Sequence, residues 1–426
     1  MSLLIRGGYV ATQDDERREL DGGWVAIRDG AIEAVGAAGE EPVGCDEVVD
    51  AAGCVVTPGL VNAHQHLWYT LFRGLGEGMA LEEWLQTLLF ALGPKIDRET
   101  HELATRLACL EMLANGTTSS LYHLVTRSDL EECETVTRAA RATRFRLAVG
   151  KEVRAGDDFG EVRACLDALD LPALVVETAP HWLARGTTTD ELVAEVHALA
   201  HERDLRISDH VATGARELYA QWVRETGRTD IEYLEQRGVL DDRWLLVHAI
   251  WLDDRDLERI ARAGAWVVPT PTSQAARGGG VTRTAEVLRA GGRAALGTDG
   301  PMVDLSVDML EQAKALAAEG RQQLLDASVL DARTVLRLAT RSSAEAIGLG
   351  EVVGSLEPGK RADVVVWDVR RPHVGVVHDP IVSLVGTARG ADSSLVLVDG
   401  ERAALDDYES LISEASARGR TLAASA

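Results

Sequence analysis

The sequence predicts an α/β protein, a (β/α)8 TIM barrel with a small discontinuous β-sandwich domain built from both termini. Three observations predict it. Between about residues 56 and 350, apolar runs of four to six residues alternate with amphipathic helical stretches, about eight times over. Short strand patterns broken by Gly and Asp precede this region and return after it. The 426 residues, 46% of them hydrophobic, suffice for one large barrel and an appendage. The expected boundaries are 1–55 plus 355–426 for the small domain and 56–354 for the barrel.

Taken in order, the first strands are expected at 3–5, 23–28, 31–35 and 47–49. Barrel strands are expected at 59–63, 117–121, 146–149, 173–176, 206–209, 244–247, 265–268 and 294–296. Apolar residues at helical spacing place helices at 81–92, 98–114, 130–142, 189–203, 253–263 and 284–290. Strands return at 362–367, 383–387 and 394–398, with turn signals at Pro358-Gly359 and Asp399-Gly400, and a surface helix is expected over 405–417.

Composition excludes several function classes. Acidic residues number 68 against 44 basic ones, a net charge of −24. Such a chain repels phosphate, so neither nucleic acid nor a membrane is an expected partner. No run of eighteen apolar residues exists to span a membrane. The five cysteines show no C-x-x-C spacing, against both a disulfide framework and a cysteine zinc knot. The start, Met1-Ser-Leu-Leu-Ile-Arg-Gly-Gly, lacks the pattern of a signal peptide, and a cytoplasmic location is expected.

The strongest chemical signal is Val61-Asn-Ala-His64-Gln-His66, after Thr57-Pro-Gly59. Residues i and i+2 of a strand face one side, so His64 and His66 point together at the C-terminal end of the first barrel strand. Barrel active sites are built on that face, and two imidazoles there can chelate one metal ion. His210, His248 and Asp299 each close a further expected strand. Alone, each reads as a helix cap or a hydrogen-bonded residue. Together they make a chance pattern improbable.

On these residues the chain resembles the amidohydrolase superfamily, in the branch of guanine, cytosine and S-adenosylhomocysteine deaminases and s-triazine (chlorohydrolase-like) hydrolases. The resemblance is carried by Pro58-Gly-Leu-Val-Asn-Ala-His-Gln-His66, Phe72-Arg-Gly74 with Leu81-Glu-Glu-Trp-Leu85, Asn115-Gly-Thr-Thr118, Val247-His-Ala249, Leu296-Gly-Thr-Asp-Gly300 and Gly354-Ser-Leu-Glu-Pro-Gly-Lys-Arg-Ala-Asp363. It implies that His64, His66, His210 and Asp299 bind one divalent metal ion, zinc or alternatively iron. A water on that ion would be available as hydroxide near neutral pH. Asp299 would take and pass on its proton, and His248 would polarise the substrate or stabilise the tetrahedral intermediate. The implied function is hydrolytic replacement of an amino or similar leaving group on a small nitrogen heterocycle. The alternatives are a cyclic amide or amide hydrolase, and a non-catalytic relative that binds a ligand. A homodimer or higher homo-oligomer is implied by the family.

Two departures stand out. The family carries H-x-x-E after the fifth strand, whereas His210-Val-Ala-Thr213 places a threonine at the proton-shuttling position. Three explanations stand open: Asp299 and His248 carry all the proton transfers, another carboxylate such as Glu77 or Glu217 swings in from a loop, or the substrate needs no ring protonation because its leaving group is good or its carbon already electrophilic. Pro269-Thr-Pro-Thr-Ser-Gln274 stands where the family reads C-P-x-S-N, and Gln274 keeps the amide. Arg277, just beyond, reads either as a contact for an anionic substrate or as a solvated loop residue. Gln65, Trp68, Arg73, His181 and Gln274 are the candidate substrate contacts. His123 has the same standing, and Glu177 and Lys151 are candidates to bridge a second metal.

Overall fold

The structure, a computed structural model, describes residues 2–178, 187–405 and 408–425. Two eight-stranded sheets organise it. In chain order the strands are β1 (Ser2–Ala11), β2 (Glu19–Arg28), β3 (Ala31–Gly36), β4 (Glu47–Asp50) and β5 (Cys54–Pro58). Then come β6 (Leu60–Gln65), β7 (Thr117–Leu124), β8 (Arg146–Glu152), β9 (Pro172–Val175), β10 (Ile207–Val211), β11 (Trp244–His248), β12 (Trp266–Val268) and β13 (Arg293–Ala294). β14 (Val364–Asp368), β15 (Ser393–Val398) and β16 (Glu401–Arg402) complete the set.

The first sheet joins both ends of the chain. β5 pairs antiparallel with β14, which pairs with β15, while β1 holds β2, β4 and β5. Register shifts around Gly8 divide β1, so its first half pairs with β4 and its second half with β5. The terminal strands therefore form one continuous sheet, with Ile5, Val25 and Ile32 in the same buried cluster as Val56, Val364 and Leu397. The expected strand at 383–387 is instead the end of a helix, Pro380–Thr387. A short apolar run does not distinguish strand from helix by itself. Here Asp379 caps the backbone N–H groups of Ile381 and Val382, Pro380 starts the first turn, and Ile381, Leu384 and Val385 bury one helical face.

The second sheet keeps chain order from β6 to β13, and every neighbouring pair is parallel. A helix follows each strand: α1 (Arg98–Ala114), α2 (Leu130–Thr143), α3 (Phe159–Ala168), α4 (Asp190–Arg203), α5 (Arg216–Thr226), α6 (Asp254–Ala263), α7 (Thr284–Arg289) and α8 (Met309–Leu324). Their starts are written locally. Asp97, Asp129, Asp158, Thr189, Asp253 and Asp308 each accept a hydrogen bond from a first-turn N–H. The last helix of the chain, Tyr408–Ala423, begins later than expected and packs against α1.

The barrel closes between β6 and the segment that continues β13. Ala63 N donates to Leu296 O at 2.9 Å, and Thr298 N and Asp299 N donate to His64 O at 3.2 and 3.1 Å. Asn62 Oδ1 accepts from the N–H groups of His64 and Thr298, while Asn62 Nδ2 donates to Thr298 Oγ1 at 2.8 Å. A Cβ on Gly297 would lie 2.9 Å from His64 Cβ and 3.1 Å from His64 N, so this seam has no room for one.

Gly297→Ala is accordingly expected to spread the seam. The expected outcome is a stability loss of about 1–3 kcal/mol, as for overpacking elsewhere, with reduced metal content in the folded fraction. Thermal denaturation and elemental analysis of the same preparation measure both.

Candidate active site

Parallel strands deliver their C-terminal ends to one face, and that is where the titratable side chains gather. His64 lies in β6 and His66 just follows it, His123 lies near the end of β7, Glu177 follows β9, His210 lies in β10, His248 ends β11 and Asp299 follows β13. His248 and Asp299 both adopt φ +64°, a left-handed conformation uncommon outside glycine. Such backbone strain recurs at functional sites, because the surrounding fold must hold it in place.

Four ligand atoms converge. His64 Nε2 lies 3.3 Å from His210 Nε2 and 3.6 Å from Asp299 Oδ1, and His66 Nε2 lies 3.5 Å from the same Oδ1. Edges of this length match a tetrahedron of N and O ligands about 2.0–2.2 Å from a central ion. Two buried imidazole nitrogens facing each other at 3.3 Å need a cation or a proton between them. The donor set therefore fits a divalent metal ion.

The surrounding bonds orient these donors. His66 Nδ1 donates to the carbonyl of His123 at 3.1 Å, which leaves Nε2 as a free donor atom. Both Glu177 oxygens accept from His210 Nδ1, at 2.9 and 3.1 Å, and turn its Nε2 inward. This is the carboxylate–histidine support typical of metal-binding imidazoles. His123 stacks on His210 with ring centroids 4.4 Å apart, and its Nε2 lies 3.3 Å from Glu177. Asp299 Oδ2 is held by Ser273 Oγ at 2.6 Å and by Arg277 at 2.5 Å, so Oδ1 is presented to the histidines.

Electrostatics hold four of the five imidazoles neutral, His210 being the exception, and the carboxylates ionised. Burial pushes His64 and His123 down to about 3 and holds His66 and His248 well below the ordinary histidine value. Burial opposes the charge on His210 as well, but the Glu177 carboxylate outweighs it and raises that group. For Asp299 and Glu177 burial acts upward. It is outweighed by Arg277 with His64 at the first and by His210 with His123 at the second, and both end well below the carboxylate range.

A cavity of about 520 Å³ opens over this cluster. His66, Glu177, His210, His248 and Asp299 lie in its wall, with Trp68, Tyr69, Trp84, Leu89 and Phe90 as its apolar side. That is the size and character of a small-ligand site. Thr213 also lines it, three residues beyond His210. Glu77 and Glu217 are exposed and outside its lining.

The expected substrate contacts divide. Trp68 lines the cavity, and among the described residues its Nε1 has no hydrogen-bond partner. Gln65 alternates away from His64 and His66, is fully buried, and accepts from Thr298 Oγ1 at 2.8 Å within the barrel seam. Gln274 Oε1 accepts from Thr270 N, and its Nε2 donates to Thr282, so it braces its own loop outside the cavity lining. Arg73 reaches Glu111 at 2.5 Å and the carbonyl of Leu305, in a separate surface groove. His181 lies outside the described residues. Lys151 is turned to the carbonyl of Glu152 and to Asp157, 3.8 Å away, and is absent from the cavity wall. Arg277, by contrast, is buried to 8% exposure against Asp299 rather than solvated. The sequence offers Glu177 and Arg277 as candidates but not their partners, because each is paired with a residue of the next strand of the barrel, His210 and Asp299.

The sequence profile of the amidohydrolase family matches residues 55–403. A 5-methylthioadenosine/S-adenosylhomocysteine deaminase of Syntrophobacter fumaroxidans is 33% identical over 412 residues, covering 93% of this chain and 92% of that protein. A 5′-deoxyadenosine deaminase of Methanosarcina acetivorans is 32% identical over 416 residues, covering 96% and 94%. Among solved structures, an adenosine deaminase from Xanthomonas campestris with bound zinc superimposes with a TM-score of 0.90 at 27% identity, covering 98% of each chain. A variant of the atrazine chlorohydrolase of Arthrobacter aurescens, complexed with zinc and atraton, does so with a TM-score of 0.87 at 25% identity, covering 98% of this chain and 100% of that one.

Glu177→Gln keeps the size of the side chain and removes the charge that supports His210. Metal affinity is expected to fall about 10–100-fold, as on removal of comparable outer-shell partners. Competition with a chelator of known affinity measures it, and an unchanged affinity would show that His210 needs no such support.

Proposed function

We propose, from the premise that this chain belongs to the amidohydrolase family and is a metal-dependent hydrolase of non-peptide carbon–nitrogen bonds on a small nitrogen heterocycle, that its substrate is an adenine nucleoside altered at the 5′ position. The reaction is hydrolytic removal of the exocyclic amine. The observation that carries this reading is the convergence of His64, His66, His210 and Asp299 at the base of a cavity of about 520 Å³, with His66, His210 and Asp299 in its wall. The names of the relatives supply the substrate class.

His64, His66, His210 and Asp299 would hold the ion, with zinc the best match to three nitrogens and one oxygen. Once bound, such an ion supplies Lewis acidity and lowers the pKa of water in its shell to about 7. The protein's residues do the rest. Trp68, Tyr69 and Trp84 offer aromatic surface to a planar base. Asp299 faces the reacting centre through Oδ1, takes the proton of the attacking water and returns it to the leaving amine. The Thr270 hydroxyl donates to Gln274 Oε1 at 3.4 Å, so it accepts from His248 Nδ1, and the neutral His248 turns Nε2 to the cavity as an acceptor for that water. Arg127 and Arg154 also line the cavity and suit a polar or anionic 5′ substituent.

Thr213 favours a second reading. Asp299 and Glu177, the carboxylates on the cavity wall, are both ion-paired, so neither stands ready to protonate a ring nitrogen. A heterocycle that is already electrophilic, with a leaving group such as halide, avoids that need. The test is to assay ammonia from adenosine, 5′-deoxyadenosine, 5′-methylthioadenosine and S-adenosylhomocysteine, beside chloride from a chlorinated triazine. Ammonia release, lost on His66→Ala, is the expected result. Chloride without ammonia would establish the second reading, and neither product would overturn both. Asp299→Asn is expected to lower kcat by about 10²–10⁴-fold, the range for a lost general acid–base group, and single-turnover kinetics on metal-loaded protein measure it.

A further inference from the structure

Among the described residues, a second convergence of imidazole and carboxylate lies away from the active-site cavity. His197 and His201 lie four residues apart on α4 and so share one helical face. Asp241 stands in the turn before β11, at the N-terminal end of the barrel strands and opposite the catalytic face. Its Oδ2 lies 2.8 Å from His197 Nε2 and 2.7 Å from His201 Nε2. Its Oδ1 accepts from Arg243 N at 3.0 Å, which fixes the carboxylate. The two imidazole rings meet edge to face with centroids 4.5 Å apart.

We propose that His197, His201 and Asp241 form a second binding site for a divalent transition-metal ion, one that staples α4 to the turn leading into β11. All three ligand atoms lie within 4.8 Å of one another. In a tetrahedral site with bonds of about 2.0–2.2 Å the ligand atoms stand ~3.3 Å apart, so an ion enters by widening the two short contacts by about half an ångström. Rotation about the side-chain torsions of these partly exposed groups provides that. Each neutral imidazole carries its one proton on Nδ1 and turns the Nε2 lone pair to the ion, so the two Nε2–H···Oδ2 contacts are replaced by coordination without a net loss of protons. Two imidazoles and one carboxylate select zinc, nickel, copper or cobalt over magnesium or calcium, which prefer all-oxygen shells. The side chains are 20%, 49% and 27% exposed, so water completes the coordination. The chain's charge of −24 draws cations toward its surface.

The site is independent of the catalytic one, and the test separates them. Full-length protein without an affinity tag is equilibrated with Ni²⁺ and desalted, and the ions per chain are counted by elemental mass spectrometry. Wild type is expected to retain one ion more than His197→Ala or His201→Ala. That excess is expected to persist in a His66→Ala background, where the catalytic site is broken. Wild type is also expected to bind a Ni²⁺-charged resin and to melt at a higher temperature with Ni²⁺, and His201→Ala to lose both responses while keeping its turnover. Equal Ni²⁺ content in wild type, His197→Ala and His201→Ala would overturn the proposal, whatever the outcome for the catalytic metal.

Discussion

The seam between β6 and the segment after β13 is the constraint on which the rest depends. Seven of the eight neighbour relations in the barrel are ladders between consecutive strands, which local sequence favours. The eighth joins residues more than two hundred positions apart. It is made by Ala63 with Leu296, by His64 with Thr298 and Asp299, and by the side chains of Asn62, Gln65 and Thr298. Because all of these groups are buried, each unmade bond would leave a desolvated polar atom, so the seam has one low-energy register. That register brings Asp299 beside His64 and His66. The closing of the fold and the assembling of the site are one event.

Charge governs the site once it has assembled. Two carboxylates and five imidazoles are buried together, a costly arrangement unless each is paired. Arg277 and Ser273 satisfy one oxygen of Asp299, and Glu177 satisfies His210 and lies near His123. What remains unsatisfied is a set of inward lone pairs on His64, His66 and His210 with Asp299 Oδ1. A divalent ion answers that deficit, so the protein preorganises the site by leaving it electrostatically incomplete. The same logic bears on Thr213. With no carboxyl at that position, the carboxylates on the cavity wall are Asp299 and Glu177, and both are engaged in ion pairs.

Much of this was legible in the sequence. The period of the barrel, the H-x-H on the first strand and the strand-closing His210, His248 and Asp299 are local patterns, and local patterns survive in a linear reading. The candidate contacts that the structure places off the cavity wall share a cause. Gln65 and Gln274 sit inside motifs that point to the site, but strand alternation turns the first into the seam and a loop turns the second onto its own backbone. Arg73 follows the metal motif in sequence, yet Glu111 draws it to another surface. The helix over Pro380–Thr387 looked like a strand because five apolar-rich residues carry no period of their own, and the cap at Asp379 decided it.

The sequence by itself determined the architecture and the family and singled out the candidate donor residues, because hydrophobic period and strand-end histidines are properties of short stretches. Only the tertiary structure decided which groups hold those donors in place. Glu177 beneath His210, Arg277 against Asp299 and Asp241 between His197 and His201 are each paired across 22 to 44 positions of chain. Such pairings follow from which side chains the closed barrel brings within a few ångströms, and burial then makes each of them electrostatically necessary.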